Sequence, residues 1–420
     1  MRLLSLGAVF VSLLVPTASQ AADATDLDAL SLADQAGDNK VQPARAWRLF
    51  LEGARGRSTS RTDGSSVDFS RASIDLRYDR KLGEAWRVVV SNRLDGVDDK
   101  AEPGAPSMNT LREAYVSWSP APDLSFDLGR VNLRQGVAMG YNPTDWFKEN
   151  ALRANFTPDP MALRENRQGT VVVQGQKVWP GASASLALSP KLSSEVATDT
   201  WALNAGATNP SDRWLLVASA KLGAGFNPQL LVHGARDQST QWGLNASVLA
   251  GDATSVFAEW STGRGPSLIS RALALAQGEQ RQERAALGLT YTLPINLALT
   301  AELEYNGSAP TGDQWRVLGG TPLGQLRVLG AAQSLQDLPA RRAWFVHAQW
   351  KDAVFSRLDV SAFARHEDQT HSTAQWLELR YRLQKMDLAL QCQWFTGSAG
   401  SVFGSVPNRR VVDLSLRWYP

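Results

Sequence analysis

The sequence predicts an all-β chain: a transmembrane, antiparallel, up-and-down β-barrel of about 18 strands, with about 16 as the alternative. Three observations point there. Apolar and polar residues alternate over stretches of about 9 to 13 residues. Tyr and Trp recur near the ends of those stretches, where an apolar ring with a polar tip suits a membrane–water interface. The connections between stretches alternate between tight and long.

Composition narrows the alternatives. The 420 residues carry 43 Lys+Arg against 41 Asp+Glu, a formal net charge of +2. A nucleic-acid partner would call for a clustered basic excess, and none is expected. The single Cys392 excludes a disulfide framework within the chain and a multi-cysteine metal site. Four histidines (His233, His347, His366, His371) leave little room for a histidine metal centre. No metal and no cofactor is therefore expected. Fifteen Trp against 7 Tyr and 5 Met stand out.

The chain opens with Met1-Arg2, an apolar run from Leu3 to Val15 and the small-residue end Ser19-Gln20-Ala21. That is the pattern of a secretory signal peptide spanning 1–21. Residues 22–45, with Asp23, Asp26, Asp28, Asp34 and Asp38, read as a polar periplasmic lead-in, and 46–420 as the barrel. No later run has 18 consecutive apolar residues, so an exported chain would cross a membrane only with strands.

The alternation is plain along the chain. Ala72, Ile74, Leu76 and Tyr78 alternate with Arg71, Ser73, Asp75, Arg77 and Asp79. Leu297, Leu299, Ala301, Leu303 and Tyr305 alternate with Ala298, Thr300, Glu302 and Glu304. Leu377, Leu379, Tyr381 and Leu383 alternate with Trp376, Glu378, Arg380 and Arg382. Met386, Leu388, Leu390, Cys392 and Trp394 follow, alternating with Asp387, Ala389, Gln391 and Gln393; Val412 to Trp418 closes in the same way. Period two means strands with two unlike faces, and these run longer than the five or six residues usual in soluble sheets. Trp86, Trp118, Trp214, Trp260, Tyr291, Trp350 and Trp418 sit near strand ends.

Tight turns are expected at 81–83, 119–122, 179–181, 251–253, 294–295 and 351–353, and long loops at 95–108, 134–163, 264–282 and 307–341. Short turns would face the periplasm and long loops the outside. The stretch 190–240 divides into strands in more than one way. Leu268 to Ala276 and Gly324 to Ala340 are expected as turns packed over the barrel mouth, with short amphipathic helices as the alternative.

If the apolar face meets lipid, the other face lines the lumen. Its charged candidates are Arg71, Arg77, Arg87, Arg93, Glu113, Glu302, Glu304, Arg357, Glu378, Arg380 and Arg382. So many charges in a dry core would cost several kcal/mol per unpaired ion, a cost that a water-filled interior removes. The loop 134–163 adds Arg134 and Asp145 to the candidates, along with Gly136, Gly140 and the Tyr141 to Phe147 run. A loop of that length is usually functional or disordered. It either folds into the lumen as a constriction or caps the barrel outside.

One segment resembles a known group. Leu111 to Trp118, a tight turn, then Leu128 to Gly136 and Asn142-Pro143-Thr144-Asp145 resemble porin-like outer-membrane proteins. That group includes the alginate-export barrels and related proteobacterial barrels. The resemblance implies an 18-stranded passive channel or exporter with a lumen-facing arginine at Arg130.

The function expected is a channel in the outer membrane, passing or exporting small hydrophilic or anionic solutes through a charged lumen. Its expected partners are outer-membrane lipid, the barrel assembly machinery and a periplasmic export partner. A plugged or structural barrel serving polysaccharide or lipid export is the alternative. An enzyme is not expected: the Gly-x-Ser-x-Gly motif is missing, and His347 with Glu302 or Glu304 is the sole approach to a nucleophile-activating set.

Overall fold

The computed structural model describes residues 46–99, 107–153, 156–197, 199–223, 225–236, 238–275, 278–321 and 323–420. The expected signal peptide and lead-in fall outside the described residues. The chain forms one 18-stranded sheet in which every strand pairs antiparallel with its sequence neighbour. The wall begins with β1 (Trp47–Ser60), β2 (Ser66–Leu82), β3 (Trp86–Asp99) and β4 (Ser107–Ala121). Shorter strands follow: β5 (Leu124–Val131), β6 (Thr170–Trp179), β7 (Ala182–Ser189), β8 (Arg213–Ala220) and β9 (Gln229–Ala235). Then come β10 (Gln241–Leu249), β11 (Thr254–Gly265), β12 (Gln280–Leu293), β13 (Leu297–Asn306) and β14 (Arg342–Trp350). Finally β15 (Leu358–Glu367), β16 (Ser372–Arg382), β17 (Met386–Thr396) and β18 (Asn408–Trp418) complete the circuit. β18 pairs back onto β1, with Leu51 opposite Trp418 and Gly53 opposite Leu416. That closure leaves no unpaired sheet edge, the condition for strands to cross hydrocarbon.

The two faces are inverted relative to a soluble protein. Leu76, Leu244, Leu289, Leu299 and Leu414 stand exposed on the outside, whereas Glu52, Asp75, Glu259 and Glu302 are buried inside. An apolar exterior and polar interior have the physical sense of a membrane barrel, since the outer solvent is lipid. Aromatics collect at both ends of the strands. Trp86 stacks on Trp118 at 5.9 Å, and Trp118 on Phe126 at 5.6 Å, at the end that carries the short turns. Trp214, Trp242 and Trp344 are exposed near the other end.

Tight turns at 83–85, 180–181, 250–253, 294–296, 351–357 and 383–385 share one end of the barrel. The connections 132–169, 190–212, 266–279, 307–341 and 397–407 share the other. At that long-loop end the β1–β2 connection is nonetheless a short turn at 61–65.

The loops contain helices α1 (Pro160–Glu165), α2 (Ala205–Thr208), α3 (Leu268–Ala272), α4 (Gly312–Gly319) and α5 (Gly324–Leu335). The preference for plain turns at 268–276 and 324–340 is thus corrected. Leu268 on α3, Trp315 and Leu318 on α4, and Val328 and Ala332 on α5 bury one another in a single apolar cluster with Val402. Helical spacing, not turn geometry, brings those faces together. α4 also opens with a capping box, Thr311 accepting from the Gln314 N–H while the Gln314 side chain accepts from the Thr311 N–H.

The lumen is not polar all round. Val131, Val172, Ala187, Leu215, Val217 and Leu231 project inward from β5–β9 and form a dry cluster with Trp146 and Phe147 of the 132–169 loop. Across β14–β16, Phe345, Phe363 and Trp376 make a second inner cluster with Met139.

Candidate constriction site

The 132–169 loop turns into the barrel. Its backbone is held by carboxylates on the inner face of β11 and β13. Glu259 Oε1 accepts from the Val137 N–H at 2.5 Å and the Ala138 N–H at 2.6 Å. Glu302 accepts from Met139 at 2.6 Å and Gly140 at 2.9 Å. Thr144 donates to Asn245 at 2.8 Å and to Glu259 at 3.1 Å. Charge-assisted bonds to backbone N–H groups in a low-dielectric interior are among the stronger footings a loop can have.

Two glycines make the close approach possible. Gly136 has φ +103°, and a Cβ there would lie 2.5 Å from Glu259 Oε1. A Cβ on Gly140 would lie 2.6 Å from Glu304 Oε1 and 2.8 Å from the Phe345 ring. Arg365 completes this footing, pairing with both oxygens of Glu304 at 2.9 Å and donating to the Gly140 carbonyl at 2.6 Å.

The 307–341 loop braces the same structure from the long-loop end. Tyr141 donates to Asp337 at 2.5 Å, Arg284 pairs with Asp337 at 3.3 Å, and Gln336 donates to the Lys148 carbonyl at 2.5 Å. Asp145 is buried and paired with Arg167 at 2.5 Å. Lys148, buried, donates to the Asn142 carbonyl at 2.7 Å and lies over the Tyr141 ring. Burial pushes its ammonium down, with Asp337 and Asp145 opposing.

The loop fills the side of the lumen against β5–β15 and leaves the opposite side open. There a cavity of about 640 Å³ lies between the wall of β1–β4 and β16–β18 and the loop's tip, where α1 presents Asp159, Ala162 and Leu163. Four guanidiniums line that wall, from Arg71, Arg93, Arg380 and Arg417, against the carboxylates of Glu52, Asp95 and Glu378. Glu52 is shared by Arg71 at 2.9 Å, Arg93 at 3.1 Å and Arg417 at 2.7 Å. Arg380 pairs with Glu378 at 2.8 Å. Across the cavity, Phe156 lies 4.6 Å from the Arg71 guanidinium. Asp159 caps α1, accepting from the Met161 and Ala162 N–H groups. Burial, and then the Glu378 carboxylate, push its carboxyl up to about 6.

The sequence-derived candidates divide accordingly. Arg71, Arg93, Glu378 and Arg380 come together at the cavity. Arg77, Arg87 and Glu113 form a separate network toward the short-turn end, with Arg77 on Glu113 at 2.5 Å and Arg87 on Asp79 at 2.7 Å. Arg382 pairs with Asp352 and Asp359 near the turn at 351–357. Arg357, expected on the lumen face, sits instead in that turn: β15 begins one residue later, and its backbone N–H is taken by Asp352. Glu302 and Glu304 foot the loop and do not line the cavity. Arg130 is buried and donates to the carbonyls of Gly169 and Leu203, tying β5 to two loops. Arg134 is half-buried at the loop's start, away from the cavity lining.

Sequence reading passed over Glu52 and Asp159 as site residues. Glu52 sits in Leu49-Phe50-Leu51-Glu52, where apolar neighbours mask the alternation; Asp159 was legible only as part of a Pro-Asp-Pro turn. Among the described residues no group of three or more His, Cys, Asp or Glu is placed to hold a metal ion.

A closed barrel with a lipid-suited exterior, narrowed by an inward-folded loop, has porin-like architecture. No family profile and no curated protein matches the sequence. Solved structures do match its fold. Acinetobacter baumannii OccAB1 is 10% identical, with a TM-score of 0.56 over 89% of this chain and 96% of that one. Pseudomonas aeruginosa OpdQ is 10% identical, with a TM-score of 0.54 over 90% and 99%. Pseudomonas aeruginosa OccK2 (OpdF), solved in complex with glucuronate, is 10% identical, with a TM-score of 0.53 over 89% and 97%. At these identities the likeness is one of fold.

Proposed function

We propose that this chain is an outer-membrane channel that passes small hydrophilic solutes, anions among them, through an off-centre constriction. The observation that carries the reading is the cavity between α1 and the arginine-bearing wall. Four guanidiniums face three carboxylates there, a small positive excess in a space wide enough for a hydrated solute. Rings of charged side chains set selectivity in narrow pores through this local potential. The fold shared with a structure solved with glucuronate supports a small carboxylate as one solute class.

Outer-membrane lipid and the barrel assembly machinery are the partners this reading requires, and export rather than uptake would add a periplasmic partner. The resemblance to alginate-export barrels rests on the 111–145 segment alone. No hydrolytic role is proposed: His347 lies on the inner face of β14 with its ring stacked on Phe345 at 6.2 Å.

Single-channel recording of the refolded protein in planar bilayers under a salt gradient tests this. Stable conductance steps with an anion-directed reversal potential are expected. A folded barrel that never conducts would replace the channel with the plugged export barrel, which the dense loop packing otherwise favours.

A further inference from the structure

A second cavity, with about 690 Å³ of open space, lies at the long-loop end, between the constriction loop and the tops of β8–β12. Four guanidiniums reach it, from Arg213, Arg264, Arg271 and Arg284, against the carboxylates of Glu149 and Glu279. Most of these are partnered. Arg284 pairs with Asp337 at 3.3 Å, Arg271 approaches Glu149 at 3.6 Å, and Arg264 donates to the Glu279 carbonyl at 3.1 Å.

The inner wall of the cavity is different. Trp146 stacks on His233 at 5.2 Å, and the Arg213 guanidinium lies 4.4 Å from the Phe147 ring centre. Arg213 donates to the Thr208 carbonyl through Nη2, but its Nε has no hydrogen-bond partner in the protein. Trp146 Nε1 and both ring nitrogens of His233 also have none. All three residues are more than nine-tenths buried and all line the cavity. A buried donor left unpaired costs about 1–3 kcal/mol. Three such side chains meeting at one cavity are therefore a set of donors awaiting an acceptor.

We infer that this cavity is an outer subsite that holds the carboxylate of a solute before it reaches the constriction. Arg213 supplies the charge, and Trp146 Nε1–H and the His233 N–H supply two neutral donors. The Trp146 and Phe147 rings give the carbon skeleton an apolar flank. The uncommitted guanidinium selects a carboxylate over an amide of the same shape, since charge-assisted hydrogen bonds are about twice as strong as neutral ones. The subsite adds a step to the proposed channel and rests on that reading only for its role, not for its binding.

The test is calorimetric titration of the detergent-purified barrel with succinate, with succinamide as the neutral control. Succinate should bind and succinamide should not. Trp146→Phe removes one unpartnered N–H, so it should leave the unfolding temperature unchanged while weakening succinate by about tenfold. Arg213→Gln should weaken it further; if that variant fails to fold, Trp146→Phe carries the test alone. Unchanged affinity in Trp146→Phe, or no binding by the native protein, overturns the subsite. Affinity lost in Arg71→Gln but kept in Trp146→Phe places the site at the constriction and overturns it equally, leaving the channel intact. A barrel that binds succinate through Trp146 yet never conducts keeps the subsite and removes the channel.

Discussion

Glu302 and Met139 stand 163 residues apart in sequence and 2.6 Å apart in space, the carboxylate on β13 accepting the loop's backbone N–H. With Gly140 bound to the same side chain, one inward-facing acid fixes the height at which the loop crosses the barrel. Glu302→Ala strands two buried donors at about 1–3 kcal/mol each. The barrel wall itself loses no ladder bond. The variant should keep the heat-modifiable gel mobility of a folded barrel but show larger and noisier single-channel conductance. Unchanged conductance would mean that the loop holds its place without this footing.

Arg71 should set selectivity. Arg71→Gln leaves Glu52 paired with Arg93 and Arg417, so folding is preserved while the cavity wall loses its positive excess. The reversal potential under a salt gradient should move toward cations. A shift in the opposite sense would assign control to a different stretch of the pore.

Asp159 gives the constriction a pH response. Its carboxyl, pushed up to about 6 by burial and then by Glu378, is ionised above that pH and neutral below it. Anion preference should therefore rise as pH falls through about 6, and Asp159→Asn should show the low-pH selectivity at all pH values. The linked stability has the matching sign. The folded chain binds this proton more tightly than the unfolded one, so the group's contribution falls as pH rises from 3.8 to about 6.

Leu379 faces lipid, opposite Val360 on one neighbouring strand and Leu390 on the other. Leu379→Arg should cost about 2–4 kcal/mol near the bilayer midplane. Urea unfolding of the vesicle-inserted barrel measures it. A neutral result would reverse the assignment of faces.

Arg130→Ala should loosen structure more than it changes selectivity. Its guanidinium holds the Gly169 and Leu203 carbonyls, so the change leaves both without that donor. Limited proteolysis of the 132–169 and 190–212 loops should accelerate while the reversal potential stays put. A selectivity shift with intact loops would restore Arg130 as a pore residue.

The fold was legible wherever the two faces of a strand meet unlike solvents. Leu299 and Leu303 against Thr300, Glu302 and Glu304 display that contrast, and β13 follows the alternation. The stretch 190–240 resisted division for a physical reason. On β8, Trp214 and Leu216 face outward while Leu215 and Val217 pack against the loop, so both faces are apolar and period two vanishes. The site was half-legible. Arg71, Arg93, Glu378 and Arg380 announce themselves as charges on a lumen face. Nothing local to Glu302 and Glu304 distinguishes an acid that meets water from one that holds a distant backbone. α4 did carry a local signal, in Thr311 and Gln314 spaced as a capping box.

The dry inner wall of β5–β9 has a mechanical consequence. Swinging the 132–169 loop outward would strip Trp146 and Phe147 from that wall and leave a water-repellent lining in the aqueous passage. Retreat of the loop therefore does not simply widen the conduit. The barrel works as a frame for a one-sided groove, and the size of what passes is governed by the gap between α1 and the arginine flank, not by the circumference of eighteen strands.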